Sequence, residues 1–251
     1  CSFFFMPPAP PETYPLPLHA ALPLSAPATP TSDNPPNLLS DPPFNTAETD
    51  RLLSTTRAVR RRLDLNRPVP PQILLDCIDL AEQAPTGGNQ SSRRWLVVRD
   101  PATKEALAEL YRESGGRWIS DAYERVCGTG HHNEKTLRSA DHLARNLEHV
   151  PAIVLVAIHG VHDGSGRPGL FDSVIQAAWS FCLALRSRCL GSAWTTIHLM
   201  FEEEASALLG IPHDPVSQVA LITVGHTLGT DFRPAQRDGG AAAVTSWNGW
   251  D

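Results

Sequence analysis

Proline is concentrated at the start of this chain, and this limits where a folded domain can lie. Residues 1–44 contain thirteen of the 23 prolines of the sequence and no lysine or arginine. Because proline cannot donate a backbone hydrogen bond, a segment so rich in it forms neither helices nor sheet. The sequence therefore predicts a disordered extension over residues 1–44 and one folded domain over residues 45–251.

The sequence of the extension resembles neither a native segment nor a secretory leader. Its stretch YPLPLHAALPLSAP resembles a translated sequencing-adapter sequence. Its first residues, CSFFF, lack the basic region followed by an apolar run that a secretory signal peptide requires. We therefore expect the extension to be foreign to the native protein and not to act as a leader.

Charge and cysteine content argue against several classes of protein. The formal net charge is −6, whereas nucleic acids and anionic membranes bind broad basic surfaces. The five cysteines are odd in number, widely spaced and without a Cys-x-x-Cys pair, a pattern typical of buried thiols in a reducing compartment. No apolar run reaches the ~18 residues of a membrane span. We expect a soluble, cytoplasmic protein that binds neither nucleic acid nor membranes.

Helix and strand signals alternate after residue 45, but without the regular repeat of a doubly wound sheet. A cap or proline followed by apolar residues at helical spacing predicts a helix, and a short apolar run predicts a strand. The predicted helices are Asn45–Thr56, Pro71–Pro85, Pro101–Ser114, Leu170–Leu190 ending at Gly191, and Glu202–Gly210. The predicted strands are WLVVRD, AIVLVAI, SAWTT and QVALITVGH. This pattern predicts one α+β domain, with a loop over Ser114–Leu147 and irregular chain after Thr227.

An arginine cluster stands out in this acidic chain. The stretch TTRAVRRRLDLNRPVP, residues 55–70, contains five arginines. Such a run is typical of a solvated helix end, but its guanidinium groups would also suit a phosphate. No GxxxxGK[ST] loop occurs, and GTGHHN follows no strand, so it is predicted to be a flexible loop and not a dinucleotide site. The cluster is therefore either ordinary surface or a phosphate site of another kind.

Side-chain catalysis and metal binding have little support. HHNEK could offer His131, His132 and Glu134 to a metal, but adjacent histidines in a loop rarely converge on one tetrahedron. No GxSxG elbow is present, and no thiol lies in an electropositive turn. We expect neither a metal site nor a protein nucleophile.

Four stretches, taken in order, resemble the nitroreductase family. They are RAVR, AEQAPTGGNQSSRRWLVV, RCLGSAWTTIHL and LGIPHDPVSQVALITVGHTLGTDFRPAQR. The resemblance extends over residues 50–251 and looks most like a branch found in actinobacteria-type sequences. It implies an FMN-dependent fold in which helices flank a central, mainly antiparallel sheet and a C-terminal arm embraces the partner of a homodimer.

The resemblance assigns the arginine cluster to the phosphate of FMN. Arg57 and Arg60 would be phosphate ligands, with Arg61 as a substitute, while Ala58 replaces a serine of the family and loses its hydroxyl contact. Arg237, or alternatively Arg233, would reach the phosphate from the C-terminal segment. The implied cofactor-binding element at the cluster is Arg57, Ala58, Val59, Arg60 and Arg61.

Two further stretches would border the flavin ring. In the first, Pro85, Thr86 and Asn89 match the family, whereas Ser91 and Arg93 replace its glutamine and tryptophan. Asn89 could equally be a loop-capping residue. In the second, Trp194, Thr195 and Thr196 would line the cofactor and Gly191 would permit its close approach, although an edge strand with a core tryptophan fits the same residues.

The activity implied is that of an FMN-dependent oxidoreductase. Hydride would pass from NAD(P)H to a small electron-poor acceptor, a nitroaromatic or a quinone, by a ping-pong mechanism in which the flavin carries the chemistry. Trp247 and Trp250 would contact the dimer partner. Three alternatives stay open: a flavin dehydrogenase that uses oxygen, an enzyme that fragments its own flavin, and a non-catalytic protein that stores or senses FMN. The remaining interpretation of the cluster is a basic interaction domain that binds no cofactor.

Overall fold

The computed structural model of this chain describes residues 44–90, 92–160, 169–236 and 239–248. These residues belong to one unit that begins at Phe44. The predicted extension lies, except for Phe44, outside the described residues. So do Ser91, Arg237 and Trp250.

Seven α-helices occur in the described residues, and two of them begin at a side-chain cap. They are α1 (Thr46–Thr55), α2 (Pro71–Ala81), α3 (Pro101–Tyr111), α4 (Arg117–Val126), α5 (Glu134–Arg145), α6 (Gly169–Ser187) and α7 (Glu202–Leu209). The Asn45 side chain accepts a hydrogen bond from the Glu48 amide, and Asp100 accepts one from the Thr103 amide. These two caps confirm the predicted starts of α1 and α3.

A five-stranded antiparallel sheet forms the centre of the molecule and confirms the predicted fold class. Its strands are β1 (Leu63–Asp64), β2 (Arg93–Val98), β3 (Ala152–His159), β4 (Leu190–Thr195) and β5 (Val216–Thr227). The long strand β5 pairs with both β3 and β4 over residues 221–224, so it lies between them. The far end of β5 pairs with β1, and β2 extends the sheet beyond β3.

Helices cover both faces of this sheet. Along β5, Ala220, Ile222 and Val224 pack with residues of α2 and α6, whereas Leu221 packs with residues of α3 and α5. This alternation follows from the two-residue period of a strand. Strand β3 is buried over all but its last residue. The hydrophobic core therefore lies on both faces of the sheet, where the helices pack against it.

One predicted helix end and one predicted loop are wrong. The predicted helix from Leu170 to Leu190 ends already at Ser187, because Cys189 adopts a left-handed conformation (φ 59°) and Leu190 begins β4. Gly191 is therefore a strand residue and not a helix stop. The predicted loop Ser114–Leu147 is largely helical: a π-helical turn at Arg112–Gly116 leads into α4, and α5 follows.

The chain after β5 is irregular among the described residues, as predicted, apart from a short 3₁₀ turn at Ala241–Val244. Its side chains include the exposed Val244 and Trp247. None of the described helices combines the length and the apolar character needed to cross a membrane.

Candidate functional site

The arginine-rich segment runs beside β4 over residues 57–59 and then turns at residues 60–62. It leaves α1 at Thr56, and Ala58 then forms a parallel bridge to Ser192. The Val59 amide donates to the Ser192 carbonyl oxygen at 2.7 Å. Because the Val59 side chain is buried, it anchors the segment, while Arg57 on one side and Arg60 on the other keep access to solvent.

Two of the predicted phosphate ligands lie together. The Arg57 guanidinium donates through Nη1 to the main-chain carbonyl oxygen of Arg233 at 2.6 Å, although the two residues are 176 positions apart. A guanidinium has five N–H donors, so this bond leaves most of them available to a ligand. The structure thus brings the N-terminal cluster and the C-terminal segment to one place.

Arg60 places a second positive charge near the end of β4. It is half-buried, and burial lowers the pKa of its guanidinium while the nearby Tyr111 hydroxyl opposes this effect. The Tyr111 hydroxyl is itself 3.1 Å from the hydroxyl of Thr195. Arg60 therefore lies in the neighbourhood of Tyr111 and of Thr195, and the second of these is a residue that the sequence assigned to the flavin site.

Three arginines of the cluster have no acidic partner among the described residues, unlike the members of a structural ion-pair network. Among the described residues, Arg57, Arg60 and Arg61 have no carboxylate within salt-bridge distance, whereas Arg62 pairs with Asp231 at 2.6 Å. Burial lowers the pKa of His142, and the positive charge of Arg61 adds to this effect. Guanidinium groups without counter-charge, one of them half-buried, fit a bound phosphate dianion.

The loop predicted to border the flavin is a tight turn at the start of α6. Gly88 and Asn89 both adopt left-handed conformations, with φ of 61° and 54°, and the Gly87 amide donates to the Ser173 hydroxyl at 2.9 Å. Thr86 is half-buried and Pro85 exposed. A cavity of about 320 Å³ lies here, lined by Glu82, Gln83, Ala84, Pro85, Thr86, Asn89, Gln90 and Arg93.

Arg93 holds this loop to the rest of the protein. Its buried side chain donates to the carbonyl oxygens of Ser173, Glu82 and Ala84 at 3.2, 3.1 and 2.9 Å. It also pairs with the Glu82 carboxylate at 3.2 Å, and Trp95 donates to the same carboxylate at 2.7 Å. The residue that stands where the resemblance expects a tryptophan is therefore an anchor of the loop.

The β4 residues have different environments. Gly191 is buried, and a Cβ added to it would lie 2.8 Å from Thr227 Cγ2 and 3.0 Å from Val59 Cβ. The glycine thus allows close packing of the protein itself, and the close approach of the cofactor at this residue stays a prediction. Trp194 is half-buried against the core, Thr195 is buried and bonded to Tyr111, and Thr196 is exposed.

The arginine segment and the loop lie at opposite ends of α6. The loop bonds to Ser173 near the start of the helix, whereas Arg186 near its end bonds to the Thr55 hydroxyl and the Thr230 carbonyl oxygen. Thirteen residues of helix separate Ser173 from Arg186, which is about 20 Å along the axis. One chain therefore does not gather both predicted parts of the site into one pocket.

Sequence reasoning missed two buried polar groups. Tyr111 follows Leu107 and Ala108 at helical spacing, a pattern that predicts only burial. His198 is fully buried, and among the described residues neither of its ring nitrogens has a hydrogen-bond partner. Burial lowers the pKa of His198 to about 4, an effect that neighbouring Gln218 partly opposes.

The remaining candidates have structural roles. The Glu134 carboxylate accepts hydrogen bonds from the amides of Gly128 and Gly130 and so closes the GTGHHN turn between α4 and α5. Within the described ranges, no three side chains of His, Cys, Asp or Glu are grouped as a metal would require. The four described cysteines are free thiols; Cys77 and Cys182 are buried as predicted, but Cys127 and Cys189 are exposed.

Several solved structures share this fold. The FMN-dependent nitroreductase NfnB from Mycobacterium smegmatis, solved with NADPH, is 16% identical, with a TM-score of 0.59 over 81% of this chain and 99% of that one. An iodotyrosine deiodinase bound to FMN and 3-iodo-L-tyrosine is 22% identical, with a TM-score of 0.60 over 80% and 99%. A BluB-like flavoprotein from Clostridium difficile 630 is 17% identical, with a TM-score of 0.59 over 79% and 98%.

At these identities the likeness establishes a common fold, and the resemblance to an actinobacterial branch stays a prediction. The family comparison reaches further. A model described as the nitroreductase family matches residues 53–226, which include the arginine segment, the loop of Asn89 and β4. The chain therefore belongs to the nitroreductase family.

Proposed function

We propose that this protein is an FMN-dependent oxidoreductase that transfers hydride from NAD(P)H to an electron-poor acceptor of the nitroaromatic or quinone type in a ping-pong cycle. The observation that carries the proposal is the group Arg57, Arg60 and Arg61, which has no carboxylate partner among the described residues. Family membership supports a flavin-dependent oxidoreductase. FMN, when bound, supplies the two-electron chemistry, so the lack of a recognisable nucleophile or acid–base pair is no obstacle.

The chain's own residues have two tasks in this proposal. Arg57, with Arg233 held beside it, binds the phosphate through charge-assisted hydrogen bonds. Arg60 places a fixed positive charge near Thr195, where it would stabilise negative charge that develops on a reduced cofactor. Thr196 is the exposed residue at the end of β4 and is free to contact a ligand.

The site is completed, we propose, by a second copy of the chain. The arginine segment and the loop of Asn89 are separated by the length of α6, so a partner's loop would have to supply the missing wall. The packed helices α1, α2 and α6 leave large apolar side chains exposed, and these would be covered in a homodimer. They are Leu53, Leu75, Leu80, Ile175 and Trp179. Val244 and Trp247, exposed on the C-terminal segment, would contact the partner as well.

An absorbance spectrum of the purified protein tests the proposal directly. We expect flavin bands that bleach when NADPH or NADH is added without oxygen and that return when a quinone or a nitroaromatic compound follows. Gradual loss of the flavin spectrum would favour the flavin-fragmenting enzyme. Bound flavin that neither nucleotide reduces would favour the oxygen-using dehydrogenase or a storage or sensing protein. A colourless protein that FMN does not reconstitute would refute the proposal.

A further inference from the structure

Two arginines contact one aromatic ring at the beginning of the C-terminal segment. The Arg62 guanidinium carbon lies 4.3 Å from the centroid of the Phe232 ring, and that of Arg186 lies 4.6 Å from it. The two cations come from different elements, since Arg62 directly precedes β1 and Arg186 belongs to the last turn of α6. We call these three residues the arginine–phenylalanine clamp.

Polar contacts fix the chain just before Phe232. Arg62 donates through Nε to the Leu228 carbonyl oxygen at 2.9 Å, and the Leu228 amide donates to the Arg62 carbonyl oxygen at 2.8 Å. Arg186 donates to the Thr230 carbonyl oxygen at 3.2 Å. Asp231 is the carboxylate partner of Arg62, at 2.6 Å. Five consecutive residues, 228–232, are thereby tied to the body of the domain.

Gly229 shows that the chain makes room for this arrangement. Its φ is +81°, a conformation that side chains other than glycine rarely adopt. A Cβ added there would come within 2.6 Å of Arg62 Nη2 and 3.2 Å of the Asp231 carboxylate. A larger residue at position 229 would therefore be strained in its backbone and would require Arg62 Nη2 to shift.

The clamp brings two positive charges close together, so other contacts must offset their repulsion. Burial lowers the pKa of Arg186, and the charges of Arg51 and Arg62 add to this effect, while Cys189 opposes it. Among the described residues, the one carboxylate in salt-bridge contact with the clamp is that of Asp231. An arrangement of this kind is stable when ring contacts and carbonyl acceptors hold the guanidinium groups in fixed positions.

The residue that follows the clamp is Arg233, whose carbonyl oxygen accepts the hydrogen bond of Arg57 at 2.6 Å. The position of Phe232 therefore sets where Arg233 and Arg57 meet. We propose that the clamp is a positioning device: by fixing residues 228–232 it places Arg57 and Arg233 so that both guanidinium groups converge on the phosphate of the cofactor. This inference rests on the proposed function. It assigns Arg62, Phe232 and Arg186 a role in recognising the phosphate without touching it.

Comparing FMN with riboflavin, which lacks the phosphate, tests the role. Apoprotein is titrated with each ligand by flavin fluorescence, and the unfolding temperature of the apoprotein is measured alongside. In Phe232→Leu, which keeps an apolar side chain but loses the ring, we expect FMN affinity to fall about tenfold while riboflavin affinity stays at the wild-type value. In Phe232→Tyr, which keeps the ring, we expect wild-type affinity for both ligands.

A pair of arginine variants separates positioning from the loss of a charge. Arg62→Gln removes a clamp member, and Arg67→Gln removes the same charge from an exposed residue of the same segment. We expect FMN affinity to fall in Arg62→Gln more than in Arg67→Gln. Should Phe232→Leu not fold, Asp231→Asn releases Arg62 from its carboxylate partner at an exposed position and should weaken FMN binding in the same selective way.

The outcomes distinguish this inference from the proposed function. Wild-type protein that binds neither FMN nor riboflavin would overturn both. Wild-type protein that prefers FMN, with the same preference in Phe232→Leu and Arg62→Gln, would overturn the positioning role alone. Equal weakening of FMN and riboflavin together with a lower unfolding temperature would also overturn it, because the clamp would then serve only stability.

Discussion

Gly191 and Val59 pack so closely that a Cβ on the glycine would lie 3.0 Å from the Val59 Cβ. The same Cβ would lie 2.8 Å from Thr227, so no direction is open to it. The arginine segment depends on this contact, because Val59 holds it against β4. Gly191→Ala should therefore lower the free energy of unfolding by about 1–3 kcal/mol, measured by urea denaturation. Gly87→Ala, whose added Cβ would meet only Ser173 at 3.6 Å, is the control and should have little effect.

Arg57 should contribute strongly to cofactor binding. Its guanidinium is exposed, bonded to the Arg233 carbonyl oxygen and free of carboxylates among the described residues. Arg57→Ala should weaken FMN binding by about 1.5–3 kcal/mol, the usual value of a charge-assisted hydrogen bond, in a fluorescence titration. Arg67→Ala is the matched control. Equal FMN affinity in the two variants would mean that Arg57 is a surface residue with no role in cofactor binding.

Arg93 should matter more for stability than for chemistry. Replacing it by methionine leaves three main-chain carbonyl oxygens without this donor and removes the cation that pairs with the Glu82 carboxylate, which keeps its hydrogen bond from Trp95. Arg93→Met should therefore cost about 3 kcal/mol of unfolding free energy in the apoprotein, measured by urea denaturation. Arg99→Met, at an exposed arginine just after β2, should cost much less. Similar midpoints for the two variants would contradict the anchoring role.

The buried His198 predicts a loss of stability in acid. Its pKa is about 4 in the folded protein, below the 6.5 of an exposed histidine. The unfolded chain therefore takes up a proton that the folded protein excludes, and the stability from this group is lost as the pH falls from 6.5 to about 4, by about 3 kcal/mol in all. Measured by urea denaturation of the apoprotein across this range, His198→Leu should flatten the loss, while His159→Gln, at an exposed histidine, should keep it. An identical acid slope in His198→Leu and the wild type would refute this account.

The exposed apolar face of α1, α2 and α6 predicts a dimer that one charge can break. Trp179, 43% exposed, lies on this face, whereas Trp118, 65% exposed, lies on α4. Trp179→Glu would place a carboxylate in the buried interface and should give a monomer in size-exclusion chromatography with light scattering. Trp118→Glu should remain dimeric. A wild-type monomer that retains flavin would contradict the two-chain site.

Local signals predicted much of the fold. The Asn45 cap with Glu48, the Asp100 cap and the left-handed Gly210 at the end of α7 each depend on neighbours a few residues away, and the structure confirms all three. The buried strand β3 is an apolar run that is easily recognised. Elements whose signal is local were therefore predictable from the sequence.

Elements that depend on distant partners were not. The two-residue strand β1 exists because Leu63 and Asp64 pair with the end of β5. Helix α4 was predicted as loop because few apolar residues mark it, although buried Ile119 and Ala122 have helical spacing. In the site, the resemblance led to Arg57 and Arg233, but no sequence pattern connects Arg93 to Ser173 or Tyr111 to Thr195. Those contacts are produced by tertiary packing.

The separation of Arg57 from the loop of Asn89 along α6 has a genetic consequence. If each site takes its arginines from one chain and its loop from the other, a chain lacking Arg57 and a chain lacking Asn89 are defective in different halves of the same site. Two such chains, each inactive as a homodimer, would form a mixed dimer in which one site receives both intact halves. Mutations in these two regions, carried by two alleles of the same gene, would then complement each other.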